Sequence, residues 1–290
     1  MSAEAAVQLR PRVGRNRIAD AGLYVILTVA AIPFIFPFVW LVSASFKLER
    51  EIFVFPPQLI GSEIHWQNYV EVFTTAPFAQ QFVNSFKIAF FTVLGTVIVS
   101  TMAGFAFARI RFPGRNVLFV AMLCGLFLPI ETVIVPLFLI MKFLRLTGTH
   151  LPLILEPVFG APAIVGAFIM RQAFLGLPGE LEEAGRIDGL GWFGILWHVG
   201  VPLAWPSIAT VALLTFLASW NMFLEPLVFT GGSAENWTVP LGLDQYIDFM
   251  GAPYWSRQMA ATTLAVAPFV ILFLWLQTQI TEGIATSGLK

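Results

Sequence analysis

Six long apolar segments constrain the fold of this 290-residue chain more than any other feature. An α-helix needs about 20 apolar residues to cross the hydrocarbon core of a bilayer, and each segment is close to or above that length. They span residues 23–46, 88–108, 117–141, 151–170, 206–230 and 260–280. Charged residues make up 11% of the chain, whereas a soluble domain carries about 25%. The sequence therefore predicts an all-α membrane protein with six transmembrane helices.

The segment at 23–46 follows a basic stretch and has to be distinguished from a signal peptide. Its apolar run is longer than the roughly 7–15 residues of a signal peptide, and it contains Pro33 and Pro37. We therefore interpret it as a retained first span. Residues 1–22 are then a basic cytoplasmic tail that lies against anionic lipid headgroups, and residues 23–290 form a single transmembrane domain.

The distribution of Lys and Arg predicts the orientation, because cytoplasmic loops carry an excess of both. With the N-terminus inside, the cytoplasmic face carries Arg10, Arg12, Arg15, Arg17, Arg109, Arg111, Arg115, Arg171, Arg186 and Lys290. The outer face carries Lys47, Arg50, Lys87, Lys142, Arg145 and Arg257. This asymmetry places both termini in the cytoplasm. The loop at 178–205, between the fourth and fifth helices, is then cytoplasmic as well.

The loop at 178–205 has more structure in its sequence than a simple connection needs. Glu180, Glu182 and Glu183 stand at the start of a short helical pattern, where carboxylates favour the positive end of a helix. Gly189 allows a bend before a second apolar run that begins at Trp192. From helix physics alone, this loop is either a docking element for a partner or a solvated amphipathic connection.

The order of residues in this loop resembles the E-A-A-x-x-x-G-x(9)-I-x-L-P signature of bacterial ABC importer permeases. Glu183-Ala184-Gly185 is followed by Gly189 and, thirteen residues further on, by Pro202. The chain departs from the signature by small or conservative replacements, namely Gly185 for the second alanine, Val199 for the isoleucine and Val201 for the leucine.

Short motifs extend the resemblance over nearly the whole chain. They are Asn84-Ser85, Arg111-Phe112-Pro113-Gly114, Leu128-Pro129, Pro136-Leu137-Phe138, Trp220-Asn221 and the tail at 282–288. Each is weakly specific alone, but their order and spacing together are specific. The chain is similar to the shorter of the two permease subunits of carbohydrate-type, maltose-permease-like ABC importers, which are multi-pass proteins of the bacterial cytoplasmic (inner) membrane.

The resemblance implies a transport subunit that is not an enzyme and binds no cofactor. It implies a heterodimer with a second permease subunit and a dimer of ATP-binding subunits that holds ATP and Mg. An extracytoplasmic solute-binding protein would deliver a carbohydrate or related polyol to the outer loops at 47–86 and 231–257. The residues expected to contact the ATPase are Glu183, Ala184, Gly185, Asp188, Gly189 and Pro202.

Carboxylates within the apolar segments form a second group of candidates. Glu131, Glu156 and Glu225 interrupt these segments, and a charge near the bilayer centre costs at least about 2.5–3.5 kcal/mol on insertion scales. Glu225 follows Trp220 and Asn221 by about one turn, so these three are expected to share a helix face and, with Glu131 and Glu156, to line a substrate pathway. Hydration at the outer boundary is the alternative for Glu156 and Glu225.

Several sequence signals of other functions are missing. There is no G-x-x-x-x-G-K-[ST] phosphate loop, the three His residues are scattered without metal-ligand spacing, and the net charge of −1 gives no reason to expect nucleic-acid binding. The rival interpretation is an ion-gradient-driven secondary transporter that uses Glu131 or Glu225, a class that often shows inverted repeats. The sequence leaves open which substrate is carried, among maltose-type sugars, trehalose-type sugars and glycerol-3-phosphate.

Overall fold

The computed structural model describes residues 17–248 and 250–287 and shows a helical protein. Its helices are α1 (Arg17–Ser45), α2 (Gln67–Thr75), α3 (Phe78–Arg109), α4 (Arg115–Cys124), α5 (Ile130–Phe143), α6 (Leu151–Phe159), α7 (Ala161–Leu175), α8 (Glu180–Ile187), α9 (Trp192–Ile195), α10 (Val201–Leu203), α11 (Trp205–Trp220), α12 (Leu224–Phe229), α13 (Val239–Gly242) and α14 (Trp255–Ser287). Within these residues the only β-type pairing is a bridge between Ile247 and Pro253. The all-α class is confirmed. Most of the predicted basic tail, at 1–16, and Lys290 lie outside the described residues.

Three helical segments of the described chain are long and apolar enough to cross a membrane by themselves. They are Ala21–Ser45, Phe78–Arg109 and Leu151–Leu175. Two further pairs of helices meet the same criteria only together, because each pair is bent. The bend is 103° between Arg115–Phe127 and Ile130–Phe143, and 81° between Trp192–Leu203 and Trp205–Trp220. The predicted sixth segment lies within the 33-residue helix α14.

The predicted spans at 117–141 and 206–230 are not single helices. The first is broken at Leu128 and Pro129, where the backbone is extended before α5 begins. The second ends at Trp220, and a separate helix, α12, begins at Leu224. A proline removes a backbone hydrogen bond and favours an extended residue before it, which accounts for the break at Pro129.

Helix α3 lies at the centre of the described bundle and packs against α6, α7 and α11. Its contact with α7 is close because small residues face each other. A Cβ atom at Gly104 would lie 2.5 Å from the Cβ of Met170 and 2.8 Å from the backbone nitrogen of Arg171. Small residues let membrane helices approach at backbone distance, so α3 and α7 form a tight pair.

The segments outside the predicted spans on the outer side are folded together. Asn68 donates hydrogen bonds to the carbonyls of Ser45 and Lys47, at 2.9 and 2.8 Å. The Glu49 carboxylate accepts from the backbone of Trp255 and Ser256, at 2.9 and 2.8 Å, and so caps the start of α14. These bonds tie α1, the α2 region and α14 into one outer layer. Within this layer, Trp66 lies at the N-terminal end of α2 and Tyr69 lies in its first turn.

Candidate coupling site and membrane pathway

The predicted short helix in the 178–205 loop is present as α8. Glu180, Glu182 and Glu183 occupy its first turn, where their negative charges interact favourably with the positive end of the helix dipole. Gly189 ends the helix with a φ of +84°. The N–H of Gly189 bonds to the carbonyl of Arg186 and that of Leu190 to the carbonyl of Gly185, which is the Schellman pattern. The predicted bend at Gly189 is therefore confirmed.

Gly185 is the one buried residue of α8. A Cβ atom at this position would lie 3.5 Å from Ile195 Cγ1 and 3.5 Å from Leu190 Cδ1, which is ordinary van der Waals contact. The glycine that replaces the alanine of the signature is therefore not required by close packing. It lowers the intrinsic stability of the helix without a steric reason.

Arg109, the last residue of α3, joins α8 to the membrane helices. Its Nε lies 2.6 Å from Oε1 of Glu182, and both side chains are largely buried, at 15% and 16% exposure. Its Nη2 donates to the backbone carbonyls of Phe174 and Leu177, at 2.5 and 2.6 Å. We call Arg109 and these three partners the inner junction. One guanidinium thus links the end of α3, the end of α7 and the first turn of α8.

The second half of the loop packs into the bundle. The Arg186 guanidinium lies 4.2 Å from the centre of the Trp192 ring, and Trp192 meets Phe105 of α3 at 6.2 Å between ring centres. Ile195 and Leu196 are buried in one apolar cluster with residues of α3, α7 and α11. A displacement of the loop therefore acts directly on the packed ends of three helices.

The outward side of α8 has no partner within the described residues. Glu183, Ala184, Asp188, Gly189 and Pro202 are all exposed. Two large apolar side chains beside them are exposed as well, with Ile187 at 86% and Phe193 at 70%. Of the residues predicted to contact an ATPase, only Gly185 faces the interior. The loop therefore has an anchored side and a free side.

Sequence reasoning identified α8 but missed the residues that anchor it. In the sequence, Arg109 and Arg186 served only as positive charges that predicted the orientation. Trp192 served only as the start of a second apolar run. The sequence signal that could have identified Arg109 was its position at the end of an apolar helix, on the same predicted face as the acidic loop. Its actual acceptors lie far away in the sequence.

Trp220 and Asn221 lie at the end of α11. The Trp220 ring is 4% exposed, donates its N–H to the carbonyl of Ala265 at 3.1 Å and packs on Phe82 and Phe86. Trp220 packs inside the bundle and also lines the same cavity as Asn221. Asn221 is exposed and lies on a cavity of about 280 Å³ between α11, α13 and α14.

The expectation that Trp220, Asn221 and Glu225 share a helix face is wrong. The helix ends at Trp220, residues 222 and 223 are not helical, and Glu225 belongs to the first turn of α12. Asn221 and Glu225 therefore do not project from one continuous helix, and the cavity beside Asn221 does not include Glu225.

The three carboxylates of the apolar segments lie on separate elements, Glu225 on α12, Glu156 on α6 and Glu131 on α5. Glu225 lies near enough to Glu156 and to Glu131 for their charges to repel. Glu156 also lines an open groove of about 480 Å³ between α5 and α6. In the part of the chain that the structure describes, no group of three His, Cys, Asp or Glu residues is arranged to hold a metal ion.

The family model described as "Binding-protein-dependent transport system inner membrane component" matches residues 96–285 of the chain. Among curated proteins, the chain is 36% identical to the arabinooligosaccharides transport system permease protein AraQ of Halalkalibacterium halodurans, over 88% of this chain and 91% of that protein. It is 31% identical to the sn-glycerol-3-phosphate transport system permease protein UgpE of Yersinia pestis, over 95% of this chain and 99% of that protein.

Two solved structures share the fold. One is a crystal structure of a bacterial ABC transporter involved in the import of the acidic polysaccharide alginate, with a TM-score of 0.74 and 22% identity over 93% of this chain and 99% of that one. The other is a bacterial alginate ABC transporter in complex with an alginate pentasaccharide-bound periplasmic protein, with a TM-score of 0.66 and 15% identity over 91% of this chain and 95% of that one.

Proposed function

The chain belongs to the family of binding-protein-dependent transport system inner membrane components, and we propose that it forms one half of the translocation pathway of an ATP-driven carbohydrate importer. The other half would be a second permease subunit, so that the two form a heterodimer. The observation that carries the proposal is the structure of the 178–205 loop. The loop is anchored on one side, through Glu182, Ile195 and Leu196, to three membrane helices, and the other side of its short helix α8 is left free.

The free side of α8 suits a protein partner. The loop exposes two large apolar side chains, Ile187 at 86% and Phe193 at 70%, among polar residues, and exposed apolar surface rimmed by polar residues is typical of a protein interaction site. We assign this contact to a separate ATP-binding subunit, present in two copies, which holds the ATP and Mg. Glu183, Ala184, Asp188 and Pro202 would lie in or beside the contact, while Gly185 and Gly189 shape the helix that presents them.

In the bacterial cytoplasmic membrane, the chain would cross six times with both termini in the cytoplasm. The bent pair at 115–143 supplies one of these crossings, the segment at 206–230 another, and α14 supplies the last. The Arg residues at 109, 111, 115, 171 and 186 then fall on the cytoplasmic side, as the excess of positive charge in cytoplasmic loops requires. Residues 1–22 form the cytoplasmic tail and residues 23–290 the single transmembrane domain.

The substrate would be a neutral oligosaccharide or disaccharide, or a related polyol. The named relatives carry arabinooligosaccharides or glycerol-3-phosphate, which differ in charge. In this chain, Glu225 lies within electrostatic reach of both Glu131 and Glu156, and like charges repel most strongly where water is scarce. Three carboxylates beside the pathway disfavour an anionic substrate. Their oxygens, with the Asn221 amide, can bind hydroxyl groups.

Transport would follow alternating access. A solute-binding protein outside the membrane would deliver the carbohydrate to the outer segments at 47–86 and 231–257. ATP binding would close the ATPase pair, α8 would follow, and the pathway would open outward. Glu182 joins α8 to the end of α3, and Ile195 and Leu196 of the same loop pack in one cluster with residues of α3, α7 and α11. Movement of the loop therefore reaches the membrane helices without an additional element.

The test is purification of the tagged chain from its native membrane in mild detergent, with mass spectrometry of the proteins that remain bound. An ATP-binding protein and a second permease are expected in fixed ratio. The variant Glu183→Lys should lose the ATP-binding protein, because an unfavourable charge in an interface costs several kcal/mol, while Glu180→Lys should retain it. Recovery of the chain alone would contradict the proposal and favour an ion-driven transporter, for which Glu131→Gln and Glu225→Gln are the first variants to assay.

A further inference from the structure

Helix α3 is bonded at both of its ends to segments that lie on opposite sides of the membrane domain. It has 32 residues, which corresponds to about 48 Å at 1.5 Å per residue. The inner junction holds its last residue, Arg109, to α7 and α8. At the other end, residues near its start are bonded to the outer segment at 234–239.

The bonds at the outer end use neutral side chains, and we call them the outer junction. Asn84 donates to the carbonyls of Glu235 and Trp237, at 2.7 and 3.1 Å. Gln81 donates to the carbonyl of Ala234 at 3.0 Å, and the Ser85 hydroxyl accepts from the N–H of Val239 at 2.8 Å. All three side chains are buried, with at most 3% exposure. The outer segment is therefore fixed to α3.

Between the two junctions, α3 is continuous. It contains no proline, whereas α1 contains Pro33 and Pro37, and α14 contains Pro268. Of the three segments that cross a membrane unaided, it is the only one without a proline. Kinks in helices arise mainly at proline and at breaks in the hydrogen-bond ladder. A helix without them moves as one body.

We propose that α3 transmits the movement of α8 to the outer segment at 234–239, and that Arg109 is the positioning residue through which α8 acts on α3. This inference rests on the proposed function, in which α8 follows an ATPase. Glu182 is the only carboxylate of α8 that forms an ion pair in the described part of the chain. The guanidinium presents several donors in a rigid plane, so the first turn of α8 cannot shift without displacing the end of α3.

The experiment measures the amount of substrate transported per ATP hydrolysed by the complete transporter in proteoliposomes. Arg109→Gln and Glu182→Gln should each lower this ratio about fivefold or more, the lower end of typical coupling between sites. The double variant should be no worse than Arg109→Gln alone, because Glu182 acts through its contact with Arg109, which that single change already removes.

Two matched variants serve as controls. Arg171→Gln removes an arginine that also bonds to a carbonyl of α3 and lies on an aromatic ring, but that has no carboxylate partner. Glu180→Gln removes a carboxylate of the same helix turn as Glu182, one that forms no ion pair in the described residues. Both should keep the ratio of the unmodified transporter.

Arg109→Lys separates transmission from folding. Lysine keeps the charge opposite Glu182 but lacks the planar group that reaches both carbonyls. The Arg109→Lys transporter should assemble with normal thermal stability and keep its ATP hydrolysis. Its ratio of substrate transported to ATP hydrolysed should lie between those of the unmodified transporter and Arg109→Gln. Unchanged ratios in Arg109→Gln and Glu182→Gln would overturn the inference while leaving an ATP-driven importer in place. An unmodified chain that transports without any ATP-binding partner would overturn both proposals.

Discussion

The two ends of α3 are held by different chemistry. At the outer junction, buried amide and hydroxyl groups bond to backbone atoms and carry no net charge. At the inner junction, a charged pair that is still 15% and 16% exposed makes the connection. Neutral buried bonds fix a segment in one arrangement, because each broken bond leaves a polar group unpaired. The ion pair of the inner junction lasts only while α8 stays beside the end of α3, which suits the movement that we propose for α8.

The largest effect is expected where α3 and α7 touch. In Gly104→Leu, the new side chain meets the Cβ of Met170 at 2.5 Å and backbone atoms of α7, so the two helices must separate. Overpacking of this kind costs about 3 kcal/mol. Both junctions should be lost together, with a marked fall in the thermal unfolding midpoint of the purified complex. Gly22→Leu, at a position in α1 with no neighbour within 4 Å, is the control, and equal stability of the two variants would contradict the packing.

We expect the outer junction to stabilise the protein more than the inner junction does. Asn84→Leu leaves the carbonyls of Glu235 and Trp237 without their donor, at a cost of about 2 kcal/mol. Hydrogen exchange across residues 234–239 should become faster. Lys87→Leu changes an exposed residue of the same helix and should leave the exchange rate unchanged. Slow exchange in Asn84→Leu would show that other contacts hold the outer segment.

A smaller change at the inner end tests the shape of α8. Gly189 has a φ of +84°, a conformation that costs about 1 kcal/mol or more for residues with a Cβ atom. Gly189→Ala should therefore loosen the end of α8 and weaken retention of the ATP-binding protein in affinity purification. Gly191→Ala, at a glycine with φ of −74°, is the matched control. Unchanged retention in Gly189→Ala would show that docking of the ATP-binding protein does not depend on the shape of the end of α8.

The smallest expected effect is a gain in stability. Gly185→Ala restores the residue of the signature, and its Cβ fits at 3.5 Å from two side chains. Alanine in place of a helical glycine stabilises by about 0.5–1 kcal/mol. The unfolding midpoint of the complex should rise slightly while transport is kept. A lower midpoint would mean that α8 needs the backbone freedom of glycine.

The features that depend on local sequence were predicted well. The limits of α8 follow from its initial carboxylates and from Gly189, and both are confirmed. Apolar composition indicated helical spans, and Pro129 indicated a kink, but the size of the bend, 103°, was not predicted. Both halves of that span are apolar, so hydropathy does not distinguish them. The direction in which the helix bends depends on tertiary packing, about which hydropathy gives no information.

The features that depend on distant contacts were missed or misplaced. Arg109 and Glu182 are far apart in the sequence, and nothing in the local pattern of either pairs them. Trp220 was expected to line a substrate pathway, and its packing on Phe82 and Phe86 was missed, although the residue also lines the cavity beside Asn221. The same hydrophobic ring suits both roles, and only the tertiary arrangement decides between them.

Hydrogen exchange at residues 234–239 of the assembled transporter, with and without a non-hydrolysable ATP analogue, tests the link along α3 most directly. The unmodified transporter should change its exchange at this outer segment when the analogue binds on the cytoplasmic side. In Arg109→Gln the analogue should still bind, but the outer segment should no longer respond. An identical response in both proteins would show that the signal crosses the membrane by another route and would contradict the role of α3.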